Sequence, residues 1–441
     1  MSLRLVICPW LGFGHLLPYL ELAERLATRG HRVAFVSTPR NLARLPPPRP
    51  TAAPTLDLVA LPLPRVDGLP DGAESTNGLA PDKVELLWKA FDGLGEPFAD
   101  FLAAACADDA TRPDWIIVDS FHHWAAAAAI DHKVPCAVLL PSAAVLAAHE
   151  RPETMPRYEW DRLARFFNSH GASGMSNQQR CDLALQRSTL AAIRSCPEWE
   201  PELFQLVAAT LGKPLVPLGL LPPSPDGGRA TAGQGDDSAL RWLDAQPPES
   251  VVYVALGSEV PLRAEQVHEL ALGLELAGAR FLWALRKPSG VPDGDVFPPG
   301  FLERTGGRGL VATGWVPQLA VLAHGAVGGF LTHCGRNSLI EGLLFGKPLV
   351  MLPIYGDQGP NARLMAGRQI GLQVRRDDKD GSFDRDGVAS AVRAVMLEEE
   401  SRRVFVANAL KMKEMVADKE LHERYIDEFI HKLRSYTSDA N

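Results

Sequence analysis

Two sets of residues in this chain have the types and spacing needed for chemistry. The larger is WVPQLAVLAHGAVGGFLTHCGRNSLIEGLLFGKPLVMLPIYGDQ, running from Trp315 to Gln358. In it a buried apolar strand, Val327 to His333, is followed by a small turn at Cys334-Gly335 and a helix from Asn337 to Phe345. A glycine-relieved turn between strand and helix leaves free backbone N–H groups and the positive end of the helix dipole facing one point. That arrangement suits a phosphate. His333, Asn337 and Ser338 add side-chain donors, and Glu341, one turn further along the same face, can accept two ribose hydroxyls. Trp315 offers a flat face for a base. Asp357 and Gln358, after the strand Lys347 to Pro353, carry acceptors and a donor suited to sugar hydroxyls. Gly257-Ser258 either adds phosphate donors or is an ordinary strand-to-helix turn.

The second set is His15 and Asp119. His15 stands where the first strand gives way to the first helix, and Asp119 ends another strand. In open α/β sheets, ligands bind outside the carboxyl ends of the strands, so residues far apart in sequence can converge there. An imidazole with one nitrogen held by a carboxylate is a general base fixed in one tautomer. Taken singly, His15 could be an idle helix residue and Asp119 a helix N-cap; beside the 315–358 stretch, the base reading prevails. His122 and His123 fall inside an alanine-rich helix as packing or pocket-lining residues.

The pattern Trp315-x-Pro317-Gln318, then His333-Cys334-Gly335-x-Asn337-Ser338-x-x-Glu341, then Asp357-Gln358, resembles the signature box of plant UDP-sugar-dependent glycosyltransferases of family 1. So many positions at fixed spacing make the match specific. The resemblance implies an α/β fold of the GT-B type, with two doubly wound Rossmann-like domains facing a central cleft. It implies that Trp315 stacks on uracil, with Val316 and Gln318 near the base, that His333, Gly335, Asn337 and Ser338 hold the diphosphate, and that Glu341 holds the ribose. Asp357 and Gln358 would hold the sugar, with Tyr355, Ser258 and Gly14 completing the donor site. The family's base and supporting carboxylate correspond to His15 in GFGHLLP and Asp119 in IIVDSFHH. Phe13, Phe121, His122 and Ser142 are the expected acceptor contacts. The implied reaction is inverting transfer of a sugar, foremost glucose, from UDP-sugar to a hydroxyl, forming a β-glycosidic bond. UDP-sugar is then a co-substrate, and neither cofactor nor metal is expected. Arg65 to Ser75, Phe121 to Ala129 and Ala255 to Leu262 resemble the plant subgroup that extends sugars on steviol-type diterpenoid or flavonoid glycosides, which points to a small-molecule glycoside as acceptor.

One position departs from the box: Arg336 stands where the family usually has Trp. Its guanidinium either lies flat in the place of the indole or is a cation aimed at the donor sugar, since some plant relatives that use UDP-glucuronic acid carry Arg there. An Arg–carboxylate pair is geometrically selective. A non-catalytic nucleotide-sugar binding protein is the rival class, weakened by the presence of both His15 and Asp119. Gly12-Phe13-Gly14 invites a nicotinamide reading that fails twice: Leu17 occupies the third glycine position, and the second strand ends in Ser37-Thr38 without an acidic ribose ligand. Asp377 to Asp380 resembles a metal-binding D-x-D, but its polar setting before Gly381 marks a solvated charge run.

The elements that must position these residues alternate strand and helix with short connections, which predicts parallel, doubly wound sheets. Strands are expected at Leu3 to Cys8, Arg32 to Ser37, Trp115 to Val118, Val134 to Leu140, near Leu190 to Ser195 and Leu215 to Leu218, then at Val251 to Leu256, Phe281 to Leu285 and Leu310 to Thr313. The first helix is expected from His15 to Arg29, and residues 150–180 as variable loops and short helices. The Gly- and Pro-rich stretch 223–237 divides an acceptor-binding domain, 1–222, from a donor-binding domain, 238–420, and 421–441 is a helix returning to the first domain. The chain has 441 residues, 46% hydrophobic, with a net charge of −8 and no basic stripe, which argues against a nucleic-acid partner. Its longest nearly apolar run, Val134 to Ala148, is too short to span a bilayer. Six cysteines without C-x-x-C spacing indicate neither a disulfide framework nor a zinc site. A cytoplasmic monomer is expected, without nucleic-acid or membrane partners.

Overall fold

A computed structural model describes residues 2–141, 155–224, 238–257, 262–288 and 290–438. Most of the 223–237 stretch, together with Ser142 and Ser258, lies outside the described residues. The chain packs as two units, one of Met1–Glu150, Leu163–Leu221 and Asp418–Asn441, the other of Arg151–Arg162 and Pro222–Ala417.

The first unit is built on β1 (Arg4–Cys8), β2 (Arg32–Ser37), β3 (Leu56–Ala60), β4 (Trp115–Asp119), β5 (Cys136–Leu140), β6 (Leu190–Ile193) and β7 (Leu215–Pro217). All neighbours run parallel, in the order β3-β2-β1-β4-β5-β6-β7. Its helices are α1 (Phe13–Thr28), α2 (Pro39–Arg44), α3 (Val84–Asp92), α4 (Gly95–Cys106), α5 (His123–Asp131), α7 (Asn177–Arg187) and α8 (Pro201–Leu211), with α6 (Arg157–Asn168) preceding α7 and crossing the boundary between the units. The central strands are continuous apolar runs because both faces are covered. Leu5 and Ile7 of β1 face a core with α1, whereas Val6 and Cys8 face one formed with α3, α4 and α5.

The second unit carries β8 (Val251–Ala255), β9 (Arg280–Ala284), β10 (Gly309–Ala312), β11 (Val327–Thr332), β12 (Leu349–Met351) and β13 (Gly371–Gln373), again all parallel, in the order β10-β9-β8-β11-β12-β13. Its helices are α9 (Ser238–Asp244), α10 (Ala264–Ala277), α11 (Phe301–Thr305), α12 (Gln318–Ala323), α13 (Arg336–Leu344), α14 (Gln358–Gly367), α15 (Arg385–Met396) and α16 (Glu399–Ala417). The last helix, α17 (Lys419–Ser438), packs in the first unit. Ile426, Phe429, Ile430 and Leu433 join the core shared by β1 and α1, and Trp115 Nε1 donates to the Leu433 carbonyl at 3.1 Å. Arg25 of α1 and Arg29, its C-cap, pair with Glu423 of α17, and Arg29 also pairs with Asp427.

The differences from the sequence reading sit at the margins. β3, flanked by proline-rich loops, was not expected; it is an edge strand with largely exposed side chains, so no continuous apolar run announces it. β13 has three residues, too few to form a pattern. Residues 157–168 and 177–187 are regular helices, and α7 starts with a full capping box at Ser176 and Gln179. Helix α1 begins at Phe13, so His15 lies inside its first turn. Among the described residues no helix is long and apolar enough to cross a membrane.

Candidate active site

In each sheet the strand order reverses direction at one place, and connections leave that place to opposite faces, opening a crevice at the carboxyl ends. In the first sheet this switch point lies between β1 and β4. His15, on the helix after β1, and Asp119, the last residue of β4, are therefore brought together across 104 residues: His15 Nδ1 lies 2.7 Å from Asp119 Oδ2. The carboxylate is fully buried, and the imidazole is a quarter exposed. Burial pushes the Asp119 carboxyl up, but the His15 imidazole, the nearby His122 and the Tyr19 hydroxyl outweigh it and hold the group below its ordinary value. An ionised carboxylate only accepts, so Nδ1 carries a proton, and in the neutral ring the lone pair is on Nε2. That is the tautomer of a general base. Ser120 Oγ donates to Asp119 Oδ1 at 3.1 Å and fixes the other oxygen.

Tyr19 and Ser120 were not singled out from sequence. The available signal was spacing, since His15 and Tyr19 are one turn apart on α1 and so share its inward face. Phe121 borders the pair, its ring 6.3 Å from that of His15, within a cluster that includes Trp10, Trp88 and Phe166. Phe13 packs against the α1 core beneath the Arg44 guanidinium. His122 is buried between the rings of Phe91 and Trp124, and burial lowers its imidazole to about 3. That is a packing position. Gly14, in the first turn of α1, belongs to this unit and not to the unit carrying the other expected donor residues.

In the second sheet the switch point lies between β8 and β11. The loops leaving these strands carry Gly257 and the 333–335 turn. Cys334 adopts a left-handed backbone, φ +65°, unfavourable for a side chain with a Cβ. Two backbone hydrogen bonds hold it there, and a third anchors the partner of one of them. Its N–H donates to Thr332 Oγ1 at 3.2 Å, its carbonyl accepts from Asn361 Nδ2 at 3.0 Å, and the same Asn361 nitrogen lies 3.2 Å from Asp357 Oδ2. Asn361, also missed from sequence, thus ties the 333–335 turn to the loop that carries Asp357; its one-turn distance from Asp357 was the only hint.

Gly335 is the N-cap of α13 and accepts through its carbonyl from Leu339 N–H, which places the first-turn N–H groups of Arg336, Asn337 and Ser338 at the positive end of the helix. His333 lies between two glycines. A Cβ on Gly257 would meet its Nε2 at 2.7 Å, and one on Gly335 at 2.5 Å. Burial lowers the imidazole to about 4, so near neutral pH it is uncharged and offers a single N–H donor. Its Nδ1 is out of solvent with no hydrogen-bond partner among the described residues.

Further along α13, Glu341 Oε2 accepts from Gln318 Nε2 at 2.6 Å, and Gln318 Oε1 lies 3.3 Å from the Tyr253 hydroxyl. This bridge sets Glu341 relative to the loop that carries Trp315 and Val316. Trp315 is 57% exposed and Tyr355 40% exposed, large aromatic faces unused by the core. Gln358 Oε1 accepts from the N–H groups of Ile354 and Tyr355, both at 2.8 Å, and so shapes the loop that presents Asp357. Arg336, the first residue of α13, is buried, with 5% of its surface exposed.

Residues 217–422 match the family model described as UDP-glucoronosyl and UDP-glucosyl transferase. UDP-glycosyltransferase 91C1 of Arabidopsis thaliana is 37% identical over 473 residues, covering 100% of this chain and 98% of that protein. UDP-glycosyltransferase 91D2 of Stevia rebaudiana is 39% identical, covering 99% and 96%, and the Beta-D-glucosyl crocetin beta-1,6-glucosyltransferase of Gardenia jasminoides is 33% identical, covering 98% and 99%. Among solved structures, Arabidopsis thaliana UGT89C1 complexed with UDP-L-rhamnose superposes with a TM-score of 0.78 at 27% identity, over 98% of this chain and 99% of that one. The chain belongs to this UDP-glycosyltransferase family, in its plant branch. It is a glycosyltransferase with the GT-B fold, and its partners are a UDP-sugar and a small-molecule acceptor. These relatives favour neither the glucuronate-donor nor the non-catalytic alternative.

Proposed function

We propose that this enzyme transfers a hexose, foremost glucose, from a UDP-sugar to a hydroxyl on the sugar of a terpenoid or flavonoid glycoside, with inversion and without metal or cofactor. The observation that carries the chemistry is the 2.7 Å contact between His15 Nδ1 and the buried Asp119 carboxylate. With Nδ1 committed to the carboxylate, Nε2 takes the acceptor hydroxyl's proton as its oxygen attacks the anomeric carbon. One C–O bond forms, the bond from that carbon to the diphosphate oxygen breaks, and UDP leaves with the electron pair. A single displacement on an α-linked donor gives a β-linked product. The leaving diphosphate is stabilised by the first-turn N–H groups of α13 and by His333, which supply preorganised dipoles at the developing charge.

Trp315 stacks on the base beside Val316 and Gln318, Glu341 takes the ribose, and Asp357 with Gln358 takes the sugar. Phe13 and Phe121 border the acceptor. The glycoside acceptor draws support from the glucosyl-crocetin relative, whose own acceptor already carries a sugar. A matrix of UDP-glucose, UDP-rhamnose and UDP-glucuronic acid against aglycones and their monoglucosides tests the proposal. UDP release with UDP-glucose and a monoglucoside is expected; transfer to aglycones alone overturns the acceptor reading.

A further inference from the structure

The first turns of α6 pack against the loop expected to hold the donor sugar. Residues up to Arg162 group with the second unit, although the helix runs on to Asn168. Glu159 Oε2 accepts from Arg363 Nη1 at 2.8 Å, with the two side chains 12% and 24% exposed. The same carboxylate fills the space above Gly359, where a Cβ would meet Glu159 Oε2 at 2.2 Å. Gly359 is in the first turn of α14, so the carboxylate lies at the positive end of that helix dipole while bonding one turn below. Arg162 donates to the carbonyl of Asp380 at 2.8 Å and lies 3.4 Å from that of Ile354. Tyr158, buried, lies beneath Arg162 and against Gly381. The Ile354–Gly359 loop is thus held from outside by Glu159 and Arg162, and from within by the Gln358 carboxamide.

We propose that Glu159, through its pair with Arg363, is a positioning residue that sets how Asp357 and Gln358 meet the donor sugar, and so governs selectivity among UDP-sugars. This rests on the reading of Asp357 and Gln358 as sugar contacts given above. The nucleotide and phosphate contacts stand on other loops, those leading into α12 and α13. Loosening the 354–359 loop should therefore alter recognition of the sugar and leave the grip on UDP intact. A charge-assisted, largely buried pair is expected to set geometry more strongly than an exposed one.

Glu159→Gln keeps the shape above Gly359 and removes the charge. In the full-length enzyme its affinity for UDP, by calorimetry, should stay within about twofold of wild type. KM for UDP-glucose should rise about five- to tenfold, and preference over the epimeric UDP-galactose should narrow by a similar factor. Arg363→Met should reproduce this, Arg363→Lys should retain part of the preference, and the double variant should be no worse than either single one. Gln358→Ala is the control for the underlying reading. If Gln358→Ala narrows the preference and Glu159→Gln does not, the role of Glu159 is overturned and the sugar-contact reading stands. If neither narrows it, the sugar-contact reading falls and the inference with it. Equal losses in affinity for UDP and UDP-glucose in Glu159→Gln overturn the inference by showing a merely structural role.

Discussion

At the scale of single residues, the site is a problem of holding charges in place. Asp119 is ionised although buried, because the His15 imidazole and the Ser120 hydroxyl each bond one of its oxygens, with Tyr19 and His122 close by. His15→Ala should lower kcat by about two to four orders of magnitude. UDP affinity should be unchanged, since the expected UDP contacts lie in the other unit. Single-turnover kinetics beside a UDP titration separates the two. Asp119→Asn presents an amide to Nδ1 and disturbs the tautomer, so kcat should fall while KM for the donor holds.

His122 gives a second prediction at this scale. Its folded value of about 3 lies below the ordinary histidine value near 6.5. Between these values the unfolded chain binds a proton that the folded one does not. Stability therefore rises with pH through this window, is complete above about 6.5 and is lost as pH falls toward 3, by at most about 1.4 kcal/mol per pH unit. His333, lowered to about 4, acts in the same sense over a narrower window. Denaturant melts from pH 7 to pH 4 should show His122→Phe with a shallower loss of stability than wild type, its neighbours Phe91 and Trp124 accepting another ring.

At the scale of elements, the helix start of α13 is only as useful as the imidazole beside it. Gly257→Ala and Gly335→Ala each place a methyl within 3 Å of His333 Nε2 and must push the ring aside. Gly257 also has φ +79°, which adds backbone strain. Each variant should keep its circular dichroism spectrum and bind UDP about tenfold more weakly, since donors at a helix start are worth of the order of a kcal/mol each. Unchanged UDP affinity in both would remove His333 from the diphosphate site. The box was legible in sequence because its residues stand on consecutive elements, β11, α13, β12 and α14, where spacing alone fixes which face each occupies. Helix α6 was not legible as a regular element. Its residues are mixed and polar, and what orders its first turns is the pairing of Glu159 and Arg162 with residues about two hundred positions away.

At the scale of the whole molecule, the second unit is followed by a helix that belongs to the first. Helix α17 supplies Ile426, Phe429 and Leu433 to the core of the first unit. Phe429→Ala should cost about 3–5 kcal/mol there. Calorimetry should show a lowered unfolding transition for that unit while UDP affinity stays near wild type, the residues proposed to hold the nucleotide lying in the other unit. A variant that lost UDP binding in step with stability would refute this division of labour.

The sequence by itself determined the family and the two parallel sheets, and pointed to the residues proposed to grip a nucleotide sugar, because these readings follow from apolar runs, turn residues and fixed local spacing. It also indicated that His15 and Asp119 could meet, since both stand at strand ends. The tertiary structure decided what spacing cannot encode. The switch point between β1 and β4 sets the distance and the tautomer of that pair. Asn361 joins the Cys334 turn to Asp357, and Glu159 reaches Gly359 and Arg363 from far upstream. Those contacts depend on side chains delivered by elements distant in sequence, and their geometry exists only once the sheets have ordered and both faces are packed.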